Sequence, residues 1–337
     1  MKNLLNNMPG FSLALIVALL ARSIEKILPL PLIGESVIAL FIGMGLNTIK
    51  KPNELVSKGL QFTSKKVLKF SIILLGASLS IGTIFTVGKL SLSVMVFTLL
   101  TCFGGGYFVG KWLNLDWKLS NMISAGTGIC GGSAIAAMAP VIEADDKDVA
   151  YAMSATFIFD MIMIIAFPIM GRALGLSDMA YGLWAGTAVN DTSSVVAAGY
   201  AFSEAAGDFA TMVKLTRTLA IIPTVVLFSI INTKFKIKND EMSSTQKVKL
   251  TSLFPWFILA FVAMAIINSL GIIPAVVSQN MKLLSKFLMV SSLAAIGMNT
   301  SFRDMKKSGI NPMLHGFIIS LLVVIVAITV EYFMGLV

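Results

Sequence analysis

The sequence predicts an all-α polytopic membrane protein with about eleven transmembrane helices, and three observations carry that prediction. Hydrophobic residues make up 56% of the 337 positions and charged residues 13%, at a mean hydropathy of +0.87. That is too little charge to clothe a soluble surface and more apolar material than one water-soluble core needs. Apolar stretches of about 20 residues recur along the whole chain, each long enough to cross a hydrocarbon layer about 30 Å thick as helix. The residue-by-residue alternation of a membrane β-barrel, sustained over about 10 positions, is absent.

Taken in order, the first apolar stretch covers 9–29. It is long for the hydrophobic part of a signal peptide and no clear Ala-x-Ala site follows it, so it is expected to be a first span. Arg22 and Glu25 within it stand three apart and can pair. The second candidate, 34–48, is the shortest; its charged start at Glu35 leaves a tilted, re-entrant or partly inserted helix open. Residues 50–66 are mostly polar and basic, a cytoplasmic loop with room for a short surface helix. Spans 67–88 and 90–112 follow, the latter with Gly106 and Gly110 at helix-packing spacing. Next come 120–141, 149–171, 179–201 and 209–232, then a basic cytoplasmic linker at 233–250, then 251–272, 279–301 and 309–334. Neither basic segment is long enough for a separate folded domain, so residues 1–337 are expected to form a single integral membrane domain.

The formal charge of +9 would suggest nucleic acid in a soluble chain. Its distribution points elsewhere. Lysines gather at Lys50, Lys51, Lys58, Lys65, Lys66 and Lys69, again at Lys234, Lys236, Lys238, Lys247 and Lys249, and Arg303, Lys306 and Lys307 form a third group. Basic short loops mark the cytoplasmic side of a membrane protein. Counting crossings between them puts the amino terminus inside, the carboxyl terminus outside, and the acidic connection Glu143, Asp145, Asp146 and Asp148 outside. The partners implied are membrane lipid and a small solute, with no nucleic acid. Cys102 and Cys130 sit in apolar context, which argues against a disulfide framework or a thiolate metal site.

Two polar, small-residue stretches interrupt the apolar pattern. AGTGICGGSAIAA at 125–137 and AGTAVNDTSSVVAA at 185–198 align without a gap at an offset of sixty, with Ser133 opposite Ser193. They look like two versions of one device. A weaker echo relates 69–85 to 286–302, two helices that the count runs in opposite directions. Opposed similar elements are the mark of an inverted repeat, frequent in secondary transporters. The count makes the spans at 120–141 and 179–201 parallel, so the stronger echo does not fit an inverted repeat.

The chemistry of the first stretch lies in its backbone. Four glycines and two hydroxyls from Gly126 to Ser133 weaken a helix, and a break at membrane depth is tolerable only against protein or a water-filled cavity. A helix resuming near Gly132 or Ser133 would aim free N–H groups at an anion, making Thr127, Gly128, Gly131, Gly132 and Ser133 candidate binding residues. Tight packing of neighbouring helices is the other reading. In the second stretch Asn190, Asp191, Thr192, Ser193 and Ser194 form a polar run with an N-cap signature. Asp191 could bind a cation, carry a coupling proton, hold a basic partner or act as a cap alone. Lys214 and Arg217, three apart on the following span, could line an anion path or anchor the helix. Asp160, deep in its span, is a candidate for proton coupling or for a salt bridge to Lys214 or Arg217. Lys69 is expected to snorkel to the inner interface, Lys286 to reach a central cavity or neutralise an acid, and His315 to pack at an interface.

No Walker loop, dinucleotide fingerprint, HExxH, CxxC or G-x-S-x-G elbow is present, so no cofactor and no enzymatic activity are expected. No repeated filter of a channel appears either. The readings left open are a secondary transporter, favoured over a channel by that lack of a filter, and a non-transport membrane scaffold.

At GTGICGGSAIAAMAPVI, WAGTAVNDTSSVVAAG, VKLTR and AAIGMNTSF, over essentially 9–334, the chain resembles the YeiH-like bacterial membrane proteins labelled sulfate exporters. That family is a distant relative of the cation–proton antiporter and anion transporter superfamily. The resemblance implies a transport domain beside a static, dimer-forming domain, hence a homodimer, with interrupted helices crossing near the substrate. It adds Asn299 and Thr300 to the candidate binding residues and pairs the fifth span with the tenth. Where some members carry a His-Glu sequence this chain has Asn190-Asp191, so a histidine-based proton mechanism does not carry over. The expected function is export of a small oxyanion, sulfate or an organosulfonate, by alternating access with Asp160 or Asp191 changing protonation. The alternative is sodium- or proton-coupled transport of an organic solute.

Overall fold

The computed structural model describes residues 2–27, 35–238, 256–300 and 309–337. The described chain is helical throughout, with no strand among the described residues. It runs α1 (Lys2–Ile27), α2 (Glu35–Ile49), α3 (Glu54–Phe62), α4 (Leu68–Gly76), α5 (Ile81–Leu100), α6 (Gly106–Trp112), α7 (Trp117–Ala125) and α8 (Gly132–Ile142). There follow α9 (Asp146–Ala173), α10 (Asp178–Ala188), α11 (Thr192–Phe202), α12 (Glu204–Thr218), α13 (Ile221–Lys238), α14 (Trp256–Ser269), α15 (Ala275–Asn299) and α16 (Ile310–Phe333). Wide π-type turns at Thr63–Val67 and Thr101–Gly105 carry α3 into α4 and α5 into α6. A third, Gly126–Cys130, extends α7.

Among the described residues, six stretches are long and apolar enough to cross a membrane: Asn7–Glu25, Ile81–Trp112, Lys147–Ala173, Glu204–Thr233, Ala275–Asn299 and Ile310–Phe333. Their outer faces are apolar, as lipid requires; on α5–α6 alone Phe85, Phe97, Leu100, Phe108 and Trp112 are exposed. The break expected near Gly88 lies earlier, at Ala77–Ser80, where the Ser80 hydroxyl caps α5 by accepting the Thr83 N–H at 3.1 Å. Most of the basic stretch 50–66 is helical, as α3 and the turn that follows it. Residues 28–34, 239–255 and 301–308 lie outside the described residues, and with them most of the 233–250 linker and the Arg303 to Lys307 cluster.

The segments expected to cross at 120–141 and 179–201 fold back on themselves instead. In the first, the Lys118 ammonium at the start of α7 donates to the Glu143 carbonyl just beyond α8 at 2.8 Å, so both ends of α7–α8 lie together. In the second, the Ser203 hydroxyl after α11 donates to Asp178 at the start of α10 at 2.6 Å, and Tyr181 stacks on Phe202 with centroids 3.9 Å apart. Each helix of about 10 residues spans roughly 15 Å, half a hydrocarbon layer, which explains why a pair reads as one long apolar span in sequence. The two hairpins point in opposite senses. Asn232, near the end of α13, donates to Val141 O at the base of the first at 3.0 Å. The base of the second joins α12 directly, and Arg172 at the end of α9 donates to Ala201 O at 2.9 Å.

The helices pack in two groups. One contains α1–α4, α14 and α15, with α2 crossing α15 most closely; the other contains α5–α13 and α16, built around the two hairpins. Gly106 and Gly110 let α6 approach α7, since a Cβ at either would collide with Ser124 or Ser120. Ser120 Oγ also donates to Gly106 O at 3.0 Å and lies 3.0 Å from the buried His315 ring, so His315 is a packing residue here. Arg22 sits 3.9 Å from Glu35, while Glu25 accepts the Glu35 N–H at 3.0 Å, so the first-span charges tie α1 to α2 rather than to each other.

Candidate functional site

The tips of the two hairpins meet. Gly131 carries φ +64°, ψ −134°, a backbone that an L side chain rarely adopts, and it abuts Asp191 so closely that a Cβ there would stand 2.8 Å from Asp191 Cβ. Each tip exposes helix ends that need partners. At the carbonyl ends the chain supplies cations. Arg217 donates to Thr127 O, Gly128 O, Thr187 O and Val189 O, so one guanidinium ties both tips. Lys214 donates to Val189 O at 3.0 Å and to Asn190 O. At the N–H end of the second hairpin stands Asp160, whose two carboxylate oxygens accept the Asn190 and Asp191 N–H groups, each at 2.9 Å. Asp191 then caps α11, accepting the Ser193 N–H at 2.9 Å and the Ser193 hydroxyl. Every helix end at the second tip is therefore charge-compensated, which is how polar backbone survives at this depth. The N-terminus of α8 differs: no side chain caps it.

A cavity of about 910 Å³ runs to these tips between the two helix groups. From the hairpin group it is lined by Gly131, Gly132, Ser133, Asp160, Asp191, Thr192 and Ser193, and from the other group by Asn299 and Thr300, all singled out in the sequence. Lys65 and Lys69 stand at its wall, and from the tips it follows α8 and the first half of α9, past Ala136, Ala137, Met153 and Ser154, toward the base of the first hairpin. Its size suits a small solute with some water.

Other sequence candidates are placed differently. Lys214 and Arg217 are fully buried, spend their donors on backbone carbonyls, and do not line the cavity; of the two roles open in the sequence, lining an anion path or anchoring a helix, these contacts belong to the second. The expected salt bridge from Asp160 to either is replaced by the amide contacts just described. Thr127 and Gly128 contribute carbonyls to Arg217, and Ser194 is buried behind the tip. Asn190 is buried, donating to Ser320 Oγ at 3.2 Å and Thr156 O at 3.4 Å, and its side-chain oxygen has no partner among the described residues. Lys286 lies on α15, where it pairs with Glu204 at 2.5 Å away from the cavity. Thr156 and Ser320 are the residues that sequence reasoning missed. Thr156 stands four before Asp160 on one helical face, a signal available in sequence; Ser320, 3.4 Å from the Thr127 hydroxyl, sits alone in an apolar helix and gave none.

Among the described residues no group of three or more His, Cys, Asp or Glu side chains could hold a metal ion, and Cys102 and Cys130 are free and buried.

Residues 9–316 match the family model described as Conserved hypothetical protein 698. A UPF0324 membrane protein of Clostridium tetani is 55% identical over 334 residues, covering 97% of each chain. One from Streptococcus mutans is 38% identical over 335 residues, again 97% of each, and one from Streptococcus agalactiae 39% identical over 336. Among solved structures, the sodium proton antiporter MjNhaP1 of Methanocaldococcus jannaschii aligns over 99% of this chain and 98% of that one, at 13% identity and a TM-score of 0.31.

Proposed function

We infer, on the premise that this chain belongs to the Conserved hypothetical protein 698 (UPF0324) family of bacterial membrane proteins, that it is a secondary transporter of a small oxyanion working by alternating access. The observation that carries this is the meeting of two opposed hairpin tips, at Gly131 and Asp191, on the wall of a cavity that runs along the first hairpin toward its base. Interrupted helices at mid-membrane, aimed at a shared site, are the construction secondary transporters use.

Each hairpin counts as no crossing, so the chain crosses nine times: α1, α2, α3–α4, α5–α6, α9, α12–α13, α14, α15 and α16. Removing two crossings of the same sense preserves the cytoplasmic amino terminus and external carboxyl terminus and moves the acidic connection 143–148 inside. It also turns the sixty-residue echo into an inverted repeat, 117–173 against 177–233. Two contacts support the equivalence at that offset. Lys118 to Glu143 corresponds to Asp178 with Ser203, and Asn232 to Val141 corresponds to Arg172 to Ala201. The basic face is then cytoplasmic and the cavity inward-facing, as export requires of a loading state.

Sulfate or an organosulfonate would sit against the uncapped start of α8, on the Gly132 and Ser133 N–H groups, with Thr192 and Thr300 hydroxyls near it. Asp191 lies within contact of that place, so the anion and an ionised Asp191 repel, and a proton or cation on Asp191 would accompany the anion. The second reading, sodium- or proton-coupled transport of an organic solute, is favoured by the sequestration of Lys214 and Arg217, which leaves Asp160 and Asp191 as the charges facing the cavity near the tips. Flux of labelled sulfate and of organosulfonates into sealed proteoliposomes, with and without an imposed proton or sodium gradient, separates the two. No flux of any sulfur oxyanion under either gradient would sink the first.

A further inference from the structure

The large cavity lies at the Thr300 end of α15, and toward the other end of that helix the two helix groups are tied by charge. Lys282 on α15 bridges Glu204 at 2.9 Å and Asp208 at 2.6 Å, both on α12. Lys286, one turn deeper, pairs with the other Glu204 oxygen at 2.5 Å and lies 5.4 Å from the centre of the Tyr200 ring. Tyr200 in turn donates its hydroxyl to Asp208 at 2.6 Å. Two cations from one group thus meet two anions and a phenol from the other. Beside this cluster lies a second, smaller cavity of about 180 Å³ between the same groups, lined by Glu25, Glu35 and Ser36 as well as by Tyr200, Glu204, Lys286 and Val290. The large cavity holds Ile296, Asn299 and Thr300 of the same helix α15. The two hollows therefore occupy opposite ends of one seam between the groups.

We propose that Lys282, Lys286, Glu204, Asp208 and Tyr200 form the gate of the external pathway, and that the small cavity is that pathway in its closed state. This rests on the alternating-access reading. Opening the seam here parts the pairs, whose side chains grade from Glu204 at 58% exposed through Lys282 at 25% and Lys286 at 18% to Asp208 at 10%. The Glu204 pairs, at the solvated rim, are weak enough to break on every cycle, unlike a buried apolar seam. The cluster is also neutral as a set, so an unpaired lysine or carboxylate favours separation while the complete set favours closure. The same pairing makes the closed state selective: Lys282 bridges two acids only when α12 and α15 hold this register, so the gate closes in one geometry.

The test labels cysteines from each side of the membrane, in a background with Cys102 and Cys130 replaced by alanine. Val290→Cys reports the small cavity to a membrane-impermeant thiol reagent added outside, and Ala136→Cys reports the large cavity in inverted vesicles. Neutralising both cations, Lys282→Gln with Lys286→Gln, is expected to speed external labelling of position 290 about tenfold and slow internal labelling of position 136, as a shift between two states demands. Lys282→Glu with Asp208→Lys should bring both rates back toward the starting values, and Lys282→Arg should leave them there. Unchanged rates at position 290, or faster labelling at both positions together, overturns the gate, the latter because a loosened protein opens everywhere. If the reversed pair misfolds, Ser36→Cys with the single changes Glu204→Gln and Asp208→Asn gives the same reading. Labelling needs no substrate, so a failed flux assay with shifted labelling would count against the oxyanion reading and not against the gate.

Discussion

Gly131 and Asp191 hold the same place in two hairpins whose bases lie at opposite ends of the α12–α13 rod, and there their backbones meet. A Cβ on Gly131 would stand 3.1 Å from Asp191 Cα. The contact fixes how close the uncapped start of α8 comes to a carboxylate, and the proposed coupling depends on that spacing. Two like charges about 4 Å apart repel by about 4 kcal/mol at an intermediate dielectric, enough to make occupancy and protonation conditional on one another.

Gly131→Ala should damage this contact twice. The residue sits at φ +64°, a conformation costing a non-glycine residue about 1–3 kcal/mol, and its new methyl would drive into Asp191. We expect a lower melting temperature in detergent and no stabilisation by sulfate. A variant that melts like the parent would show that the tip tolerates a side chain and that the close approach is incidental.

Arg217→Gln is expected to fail as a fold before it fails as a transporter. Its guanidinium serves carbonyls on both tips, and each buried acceptor left without a donor costs about 1–3 kcal/mol. Arg217→Lys keeps the charge and loses the fork, so an intermediate loss is expected. The yield of monodisperse protein and its melting temperature measure both. A well-folded Arg217→Gln with weakened sulfate affinity would instead return this residue to the substrate path.

Asp191→Asn should behave differently from Asp160→Asn. Asparagine caps a helix about as well as aspartate, so Asp191→Asn keeps α11 and loses only a titrating group. Asp160 accepts two backbone N–H groups on its two oxygens, and an amide offers one acceptor for them. The expected outcome is a stable Asp191→Asn protein whose flux no longer responds to a proton gradient, and an unstable Asp160→Asn. Gradient-driven flux surviving unchanged in Asp191→Asn would remove Asp191 from coupling.

Much of the site was legible because its chemistry is local. Gly131, Ser133, Asp191 and Ser193 announce themselves as glycine and N-cap residues where an apolar pattern should continue. What those residues face was not legible. Lys214 and Arg217 look alike whether they meet a solute or a carbonyl, and only the fold shows that two broken helices leave carbonyl ends requiring cations. The hairpins were not legible either: two half-length helices joined by a polar tip have the length and hydropathy of one crossing helix. Taking α7–α8 and α10–α11 as hairpins removes two crossings of the same sense, so the two changes cancel in the charge balance and the basic loops fall on one side in both arrangements.

That cancellation makes the acidic connection after α8 the decisive place to test the nine-crossing arrangement. With α7–α8 as a spanning helix, Ala144 lies on the opposite side from Lys118; as a hairpin it lies on the same side, as the 2.8 Å bond from Lys118 to Glu143 requires. Ser177 and Ser203 should likewise share a side, opposite to Ala144, because Asp178 and Ser203 touch. Single cysteines at Ala144, Ser177 and Ser203, with Cys102 and Cys130 replaced by alanine, can be labelled with an impermeant maleimide in intact cells and in inverted vesicles. We expect positions 177 and 203 to label from outside and position 144 only from inside. The spanning arrangement requires the opposite at two positions: external labelling at 144 and internal labelling at 177. Either result would undo the hairpins as membrane elements, and with them the inverted repeat and the inward-facing assignment of the cavity.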